Sequence, residues 1–96
     1  MYTQQMKPFR WNHDKNTLLK HERGISFEEI VLAMDAGGLL DILQHTNTEK
    51  YLNQQIFVVT FADYVYLVPF VEEDSFYFLK TIIPSRKARR DYLAKE

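Results

Sequence analysis

The stretch KTIIPSRKARRDY, residues 80–92, decides the fold that we expect for this chain. Its β-branched start, residues 81–83, favours a buried strand, because branched side chains pack well on a pleated surface. Pro84 lacks the N–H that an inner strand needs, so we expect the strand to end there. Ser85 can cap a helix, since its hydroxyl accepts N–H groups of the first turn. The helix that follows is basic, with Lys or Arg at Arg86, Lys87, Arg89, Arg90 and Lys95.

The sequence upstream of this stretch predicts several strands joined by short turns. Pro69 indicates that its strand is an edge there or is bulged. Ala62-Asp63-Tyr64 is a tight connection, so the two strands it joins should form an antiparallel hairpin. The polar segment His45–Gln55 is predicted to be a loop. The predicted strands are Phe9–Trp11, Leu39–Leu43, Ile56–Phe61, Val65–Val71 and Phe76–Ile83.

Two helices are predicted between the first strand and the second. Asn12 is a good N-cap for the first helix, and Gly24 can take the left-handed conformation that ends it. Ser26 and Glu29 have the spacing of a capping box, in which each side chain bonds the other residue's backbone N–H. The second helix is expected to end at Gly37-Gly38.

These elements predict one α+β domain covering residues 1–96, in which residues 1–8 are expected to be flexible. We expect an antiparallel sheet of four to five strands, packed on the two N-terminal helices and covered by helices on one face. The basic C-terminal helix completes the predicted fold.

The composition excludes several classes of protein. With 96 residues, of which 46% are hydrophobic, the chain suits one globular domain with a modest core. It has no cysteine, which excludes disulfides and cysteine-ligated zinc. No apolar run reaches the roughly 18 residues of a membrane span, and the N-terminus lacks a signal-peptide apolar region. We therefore expect a cytoplasmic protein that does not use a membrane.

The charge is distributed unevenly along the chain, although the net charge is −1. Residues 1–27 carry five Lys or Arg against two acids, and residues 80–96 carry six against two. Residues 28–79 carry one Lys against nine acids. If the two ends fold together, their cations form one basic hollow beside the final strand, and such a surface attracts phosphates.

Two groups of residues resemble a known family in their order and separation. The N-terminal group comprises Phe9-x-Trp11-Asn12, Lys15-Asn16, Lys20-His21 and Gly24-x-Ser26-Phe27-Glu28-Glu29. The C-terminal group comprises Ile82-Ile83-Pro84-Ser85-Arg86-Lys87-Ala88, Arg89-Arg90 and Tyr92. Together they resemble the BrnT toxins over residues 9 to 92.

The resemblance implies both a fold and a function. The fold would be similar to that of the RelE ribonucleases. The chain would be the toxin of a bacterial type II toxin–antitoxin pair, with RNA as its substrate. Its partner would be an antitoxin with a ribbon-helix-helix DNA-binding domain. The chain itself shows no DNA-reading motif, so operator DNA would be contacted only through the antitoxin.

RNA cleavage by the 2′-hydroxyl needs a proton acceptor, cations that stabilise charge on phosphorus, and a proton donor for the leaving 5′ oxygen. Lys80, Arg86 and Lys87 lie at the strand–helix junction and are predicted to be catalytic phosphate contacts. His21 is the candidate general base, because histidine titrates near neutral pH. An interaction of His21 with the helix dipole is the alternative explanation. The predicted nucleic-acid-binding residues are Arg10, Arg89 and Arg90.

No cofactor and no metal is expected. The histidines, at positions 13, 21 and 45, lack the i,i+4 spacing of a helical metal site. There is also no glycine-rich phosphate loop. A metal-independent reaction that lacked the histidine would depend on Lys and Arg alone, and it would be slow.

Two other functions stay open, as do two surfaces for the partner. The chain could be a binding module of the same fold that holds a DNA-binding partner without cleaving RNA. It could also be an unrelated interaction domain in which the acidic middle of the chain matters most. An antitoxin could fill the basic cleft, which charge balance favours, or contact the acidic, aromatic middle. The candidate residues of that middle are Tyr64, Tyr66, Phe70, Glu72 and Glu73.

Overall fold

The computed structural model describes residues 7–44 and 54–93 of the chain. The predicted flexible segment 1–8 therefore lies largely outside the described residues, and so does most of the predicted loop His45–Gln55. The elements in chain order are β1 (Phe9–Trp11), α1 (His13–Arg23), α2 (Phe27–Ala33), a π-helical turn (Met34–Gly38), β2 (Leu39–Gln44), β3 (Gln54–Phe61), β4 (Tyr64–Glu72), β5 (Tyr77–Leu79), β6 (Ile83–Pro84) and α3 (Arg86–Tyr92).

Both ends of α1 and the start of α2 are those that the sequence predicts, whereas α2 ends at Ala33 and the π-helical turn continues to the predicted end at Gly37-Gly38. The side chain of Asn12 accepts the N–H of Lys15 at 2.9 Å, and Gly24 ends α1 with φ at 67°. At the start of α2, the Ser26 hydroxyl accepts the Glu29 N–H at 3.1 Å. The Glu29 carboxylate accepts the Ser26 N–H at 2.9 Å in return, which completes the capping box.

Both glycines of Gly37-Gly38 are required where the helical segment meets the sheet. Gly37 has φ at 94°, a conformation that side chains rarely adopt. A Cβ on Gly38 would lie 2.7 Å from the carbonyl oxygens of Ala33 and Thr60. The close approach of the helical backbone to β3 therefore depends on the missing side chain of Gly38.

The sheet is mixed, with the strand order β1-β5-β4-β3-β2, and β6 also pairs with β4. The prediction of an α+β fold is confirmed, but the prediction that every strand pair is antiparallel is wrong. Phe9 pairs with Tyr77 and Trp11 with Leu79, so β1 and β5 run parallel. Tight turns force antiparallel pairing only between strands that follow each other directly. No tight turn joins β1 to its neighbour β5, so these two strands can pair in parallel.

The predicted hairpin of β3 and β4 is confirmed. Phe61 pairs with Tyr64 across a two-residue turn, and the register continues to Gln54 and Val71. Ala62 and Asp63 have φ at 53° and 65°. Two consecutive left-handed residues form the type I′ turn, whose twist matches that of the strands it joins.

The predicted last strand, Phe76–Ile83, is divided into β5 and β6, with a break between them opposite Pro69. The N–H of Lys80 donates to the Pro69 oxygen at 2.8 Å, so the backbone of Pro69 faces the last strand. In an antiparallel strand, the N–H and the C=O of one residue point to the same neighbouring strand. Pro69 has no N–H, so the donor that is missing would have faced the last strand. β4 is therefore an inner strand whose neighbour is interrupted. Pro84 pairs with Tyr66, so it lies within a short strand.

Helices cover both faces of the sheet, which corrects the prediction of cover on one face. Phe57 and Val59 of β3 pack in a core with α1 and α2, and we call this side the first face. Val58, which lies between them, packs with Ala88 of α3 on the second face. Side chains of a strand alternate between the two faces, so the continuous apolar run of β3 requires cover on both sides.

The helices of the described residues are all too short or too polar to cross a membrane.

Candidate nucleic-acid interface

Helix α3 is fixed on the second face at both of its ends. At its start, the Ser85 N–H donates to the Val65 carbonyl oxygen of β4 at 3.0 Å, and the Ser85 hydroxyl caps the helix by accepting the Ala88 N–H at 3.0 Å, as the sequence predicts. Ala88 and Tyr92 face the sheet, and the Tyr92 hydroxyl donates to the Asp41 carboxylate of β2 at 2.7 Å. This hydrogen bond raises the pKa of Tyr92, because the Asp41 carboxylate holds the hydroxyl proton in place.

One flank of α3 faces the β3–β4 turn and uses Arg89 to hold it. The Arg89 Nε donates to the Asp63 carbonyl oxygen at 2.9 Å, and its Nη2 lies 3.4 Å from the Asp63 carboxylate. The guanidinium also lies over the Tyr64 ring, 5.8 Å from its centroid. Arg89 was predicted to bind nucleic acid, and the structure places it in contacts with the turn.

The other basic side chains of α3 occupy different sides of the helix. Successive residues turn by about 100°, so Lys87 lies on the flank opposite Arg89 when Ala88 faces the sheet. Lys87 forms an ion pair with Asp91 at 2.7 Å, and this contact lowers the pKa of Asp91. Arg86 and Arg90 are exposed on the outer side of the helix. The four cations therefore do not form a single cluster.

The Lys87 flank borders a part of the second face that no described helix covers. We call this part the open half. The side chains of its floor are half-buried, and they alternate with residues of the first-face core. They are Ile56 of β3, Pro69 and Val71 of β4, and Phe78 of β5.

The outer edge of the open half carries two cation–ring pairs, which we call the aromatic strip: Arg10, Phe76, Phe78 and Lys80. The Arg10 guanidinium carbon lies 5.1 Å from the Phe76 ring centroid, and the Lys80 Nζ lies 5.6 Å from that of Phe78. Arg10 and Phe78 are register partners on β1 and β5, so they are neighbours on the same face. The strip thus combines positive charge with aromatic surface.

Lys80 and the start of α3 lie on the same side of β4. Lys80 is hydrogen-bonded to Pro69, and Pro84 pairs with Tyr66 three residues along the strand. At about 3.3 Å per residue, these two points are roughly 10 Å apart. Lys80, Arg10 and the first turn of α3, which begins with Arg86, therefore surround one surface.

His21 lies away from that surface. Leu19 of α1 is buried in the first-face core, and His21 is exposed about 200° further round the helix. The nearby Arg23 donates to the Ile82 carbonyl oxygen, so α1 does contact the last part of the sheet. His21 itself points away from the sheet and from α3, so the predicted set of His21 with the strand–helix cations is not assembled.

The elbow between α1 and α2 is a structural feature with its own polar network. The N–H of Phe27 donates to Asn16 Oδ1 at 2.8 Å, and Asn16 Nδ2 donates to the Glu28 carboxylate at 2.7 Å. The second bond lowers the pKa of Glu28. A shallow depression of about 460 Å³ lies beside it, lined by Lys20, Gly24, Ser26, Glu28 and Glu29. The carboxylates of Glu28 and Glu29 accept hydrogen bonds from amide or backbone donors, so their role here is structural.

The acidic, aromatic middle offers less surface than the sequence suggests. Phe70 is only 2% exposed and stacks on Phe57, with ring centroids 3.7 Å apart. Glu72 forms an ion pair with Lys7 at 2.8 Å. Tyr64 and Tyr66 contact each other edge to face and are half-buried. Phe70 is therefore unavailable to a partner.

Sequence reasoning missed Phe76 and Phe78 as candidate functional residues. The signal was the alternation Phe76-Tyr77-Phe78-Leu79, in which Tyr77 and Leu79 face the first-face core and the other two face away. Arg10 is placed by the same rule, because Phe9 and Trp11 both pack on the first face.

Comparison with known proteins adds no assignment, since no family model, no curated protein and no solved structure matches the chain. Among residues 7–44 and 54–93, no group of three His, Asp or Glu is arranged to hold a metal ion. Fold and site thus define an α+β domain with a basic, aromatic surface beside its last helix.

Proposed function

We propose that this chain is the toxin component of a bacterial type II toxin–antitoxin pair, and that it acts in the cytoplasm as a slow, metal-independent endoribonuclease. The resemblance of residues 9 to 92 to the BrnT toxins supports this proposal. We propose in addition that the fold has a RelE-like arrangement. The cognate antitoxin would carry the ribbon-helix-helix domain, and operator DNA would be contacted through that partner.

The observation that carries the proposal is the placement of cations around the open half. Arg10 and Lys80 lie at one edge of this surface, and Pro84, two residues before Arg86, lies roughly 10 Å from Lys80 along β4. Separate cations around an apolar surface suit a ligand that carries both phosphates and flat aromatic bases. RNA is such a ligand.

The reaction would be a phosphoryl transfer within the RNA. The 2′-oxygen attacks the adjacent phosphorus, and its proton passes to a base. The bond from phosphorus to the 5′ oxygen breaks, and that oxygen takes a proton from water. The products are a 2′,3′-cyclic phosphate and a 5′-hydroxyl end. Arg86 and Lys80 would stabilise the charge on the phosphoryl oxygens, because Arg and Lys are effective where negative charge develops.

His21 is not assigned to this step, because its side chain points away from the open half. Water would then act as the proton acceptor, with the cations supplying most of the catalysis. Loss of a positioned general base costs about 10² to 10⁴ in rate, so slow turnover is the expected consequence.

Purified protein mixed with RNA in excess EDTA tests the proposal. We expect cleavage by the wild type, a loss of about 100-fold in rate in Arg86→Ala, and a similar loss in Lys80→Ala. Lys20→Ala is the matched control, since Lys20 is an exposed lysine of α1 that lies outside the open half. Equal rates in Lys80→Ala and Lys20→Ala would contradict the assignment.

A second candidate function is a binding module of the same fold that pairs with a DNA-binding partner and does not cleave RNA. The observation that favours it is the separation of His21 from α3. RNA that is bound by the wild type but stays intact in the same assay would select this function.

A further inference from the structure

The aromatic strip is a feature that phosphate binding alone does not explain. Phe76 and Phe78 are large apolar side chains on the face of the sheet that the first-face core does not use. Both are half-buried, and each is covered by a cation, Arg10 in one case and Lys80 in the other. The rings are thus held beside the open half with their charged covers in contact with solvent.

The spacing of the two rings matches separate bases. Phe76 and Phe78 are two residues apart, so they project on the same side at a separation of roughly 6.6 Å. Each ring can then carry one base of an unpaired strand. The bases of a duplex are stacked inside it, whereas single-stranded RNA presents them to aromatic side chains.

The cations that cover the rings are free to leave them. A cation over an exposed ring is a weak contact, and both Arg10 and Lys80 are exposed, flexible side chains. When a base takes the ring, the cation can move to the phosphate of the same nucleotide. One weak contact is then replaced by a stacking contact and a charge-assisted contact.

The acidic turn before β5 limits where the RNA backbone can lie. Glu73 and Asp74 precede Phe76, and the Glu73 N–H donates to the Phe76 carbonyl oxygen at 2.8 Å. Phosphates are repelled beyond Phe76, on the side of this turn. They are attracted at the other end, where Lys80 lies and where α3 begins with the exposed Arg86.

We propose that the open half is a binding site for single-stranded RNA, in which Phe76 and Phe78 each stack on one base while Arg10 and Lys80 bind the phosphates. The choice of RNA as the ligand rests on the proposed function. The inference adds that the RNA is single-stranded and that Phe76 and Phe78 bind it. The occupant is a nucleic acid rather than an acidic peptide, because each ring is paired with its own cation, and each nucleotide offers one base and one phosphate in the same repeat.

Fluorescence anisotropy with a labelled 2′-O-methyl uridine strand of about 12 nucleotides tests the site. This probe cannot be cleaved, so binding is measured apart from catalysis. We expect Phe78→Leu and Phe76→Leu each to weaken binding roughly tenfold, and Phe78→Tyr to retain it, because the ring is kept. Tyr64→Leu is the matched control, since its ring is also covered by an arginine but lies at the β3–β4 turn. Thermal melts followed by circular dichroism show that each variant is folded.

The salt dependence of the same binding distinguishes the contribution of the aromatic rings to affinity from that of the cations. Lys80→Ala should reduce the slope of log affinity against log salt by about 0.7, whereas Phe78→Leu should leave the slope unchanged. Wild-type affinity in both Phe variants, or equal affinity for a duplex of the same length, would overturn the inference. The same holds if an acidic peptide binds the open half while the uridine strand does not.

The two proposals fail in different ways. If the wild type cleaves unmodified RNA and the Phe variants bind the probe normally, the stacking site is wrong and the ribonuclease function stands. If binding depends on the rings but unmodified RNA stays intact, the ribonuclease function is wrong and the stacking site stands.

Discussion

At the scale of single residues, Asn16 holds the elbow between α1 and α2. It is 2% exposed, and it accepts from Phe27 and donates to Glu28. Asn16→Ala leaves the buried Phe27 N–H without this partner, so we expect a loss of about 2 kcal/mol in the free energy of unfolding. Urea denaturation measures it. Thr17→Ala is the control, because the exposed Thr17 hydroxyl bonds only the His13 carbonyl oxygen, and a change within about 0.5 kcal/mol is expected.

The Asn16–Glu28 bond also makes stability depend on acid pH. The pKa of Glu28 is lowered in the folded protein, so its contribution is present above the unfolded value of 4.5 and is lost as pH falls through the folded pKa. We expect the stability difference between wild type and Asn16→Ala to shrink below pH 4.5. A difference that grows towards low pH would contradict this.

Tyr92 gives the opposite pH dependence. Its pKa is raised by the hydrogen bond to Asp41, so the contribution to stability is present below the unfolded value of 10.0 and is lost as pH rises through the folded pKa. We expect Tyr92→Phe to lose about 1 kcal/mol at neutral pH and to approach the wild type in strongly alkaline solution. Unfolding measured at pH 7 and above pH 10 compares the two, and a constant difference would exclude the bond.

At the scale of secondary-structure elements, the β3–β4 hairpin contains a correctable strain. Ala62 has φ at 53°, and a left-handed conformation costs roughly 1 kcal/mol or more for alanine but less for asparagine. Ala62→Asn should therefore stabilise the protein by about 1 kcal/mol, measured as a rise in melting temperature. Ala36→Asn, in the exposed part of the π-helical turn, is the control and should not stabilise. A lower melting temperature for Ala62→Asn would show that the turn is not type I′.

The local features of the elements were predictable from the sequence because their causes are local. Asn12, the Ser26 and Glu29 capping box, and the Ser85 cap each act within four residues. The hairpin turn at Ala62-Asp63 is equally local. Caps and turns are determined by side chains that lie close in sequence, so a pattern of few residues identifies them.

The non-local features were not predictable by the same reasoning. The parallel pairing of β1 with β5 joins residues that are far apart in the chain. The interruption of the last strand arises opposite Pro69, and the sequence indicated only that Pro69 needed some irregularity. The position of α3 on the second face had one sequence signal, the unbroken apolar run Phe57-Val58-Val59, which calls for cover on both faces.

The candidate site shows the same contrast between local features, which the sequence predicts, and non-local ones, which it does not. Arg10, Lys80 and the start of α3 lie around one surface because the sheet brings them there. The charges of α3 are less concentrated than the helix pattern suggests, since Arg89 and Lys87 each contact a carboxylate. His21 lies outside the site because α1 buries Leu19 and turns the histidine outward.

At the scale of the whole molecule, the proposed function predicts a growth phenotype that depends on the open half. Inducing the gene for this chain alone should arrest bacterial growth, and co-inducing the gene of the cognate antitoxin should relieve the arrest. Arg86→Ala should abolish the arrest, whereas Lys20→Ala should preserve it, with equal protein levels checked by immunoblot. Arrest by both variants would separate toxicity from the open half.

The central claim is that RNA lies across the open half of the second face. Amide chemical-shift changes on titrating the isotope-labelled protein with the 2′-O-methyl uridine strand test it most directly. The account predicts that the shifts cluster at Arg10, Phe78, Lys80 and the first turn of α3, while the amides around His21 stay unchanged. Shifts that cluster on α1 and the elbow, with the aromatic strip unaffected, would contradict it.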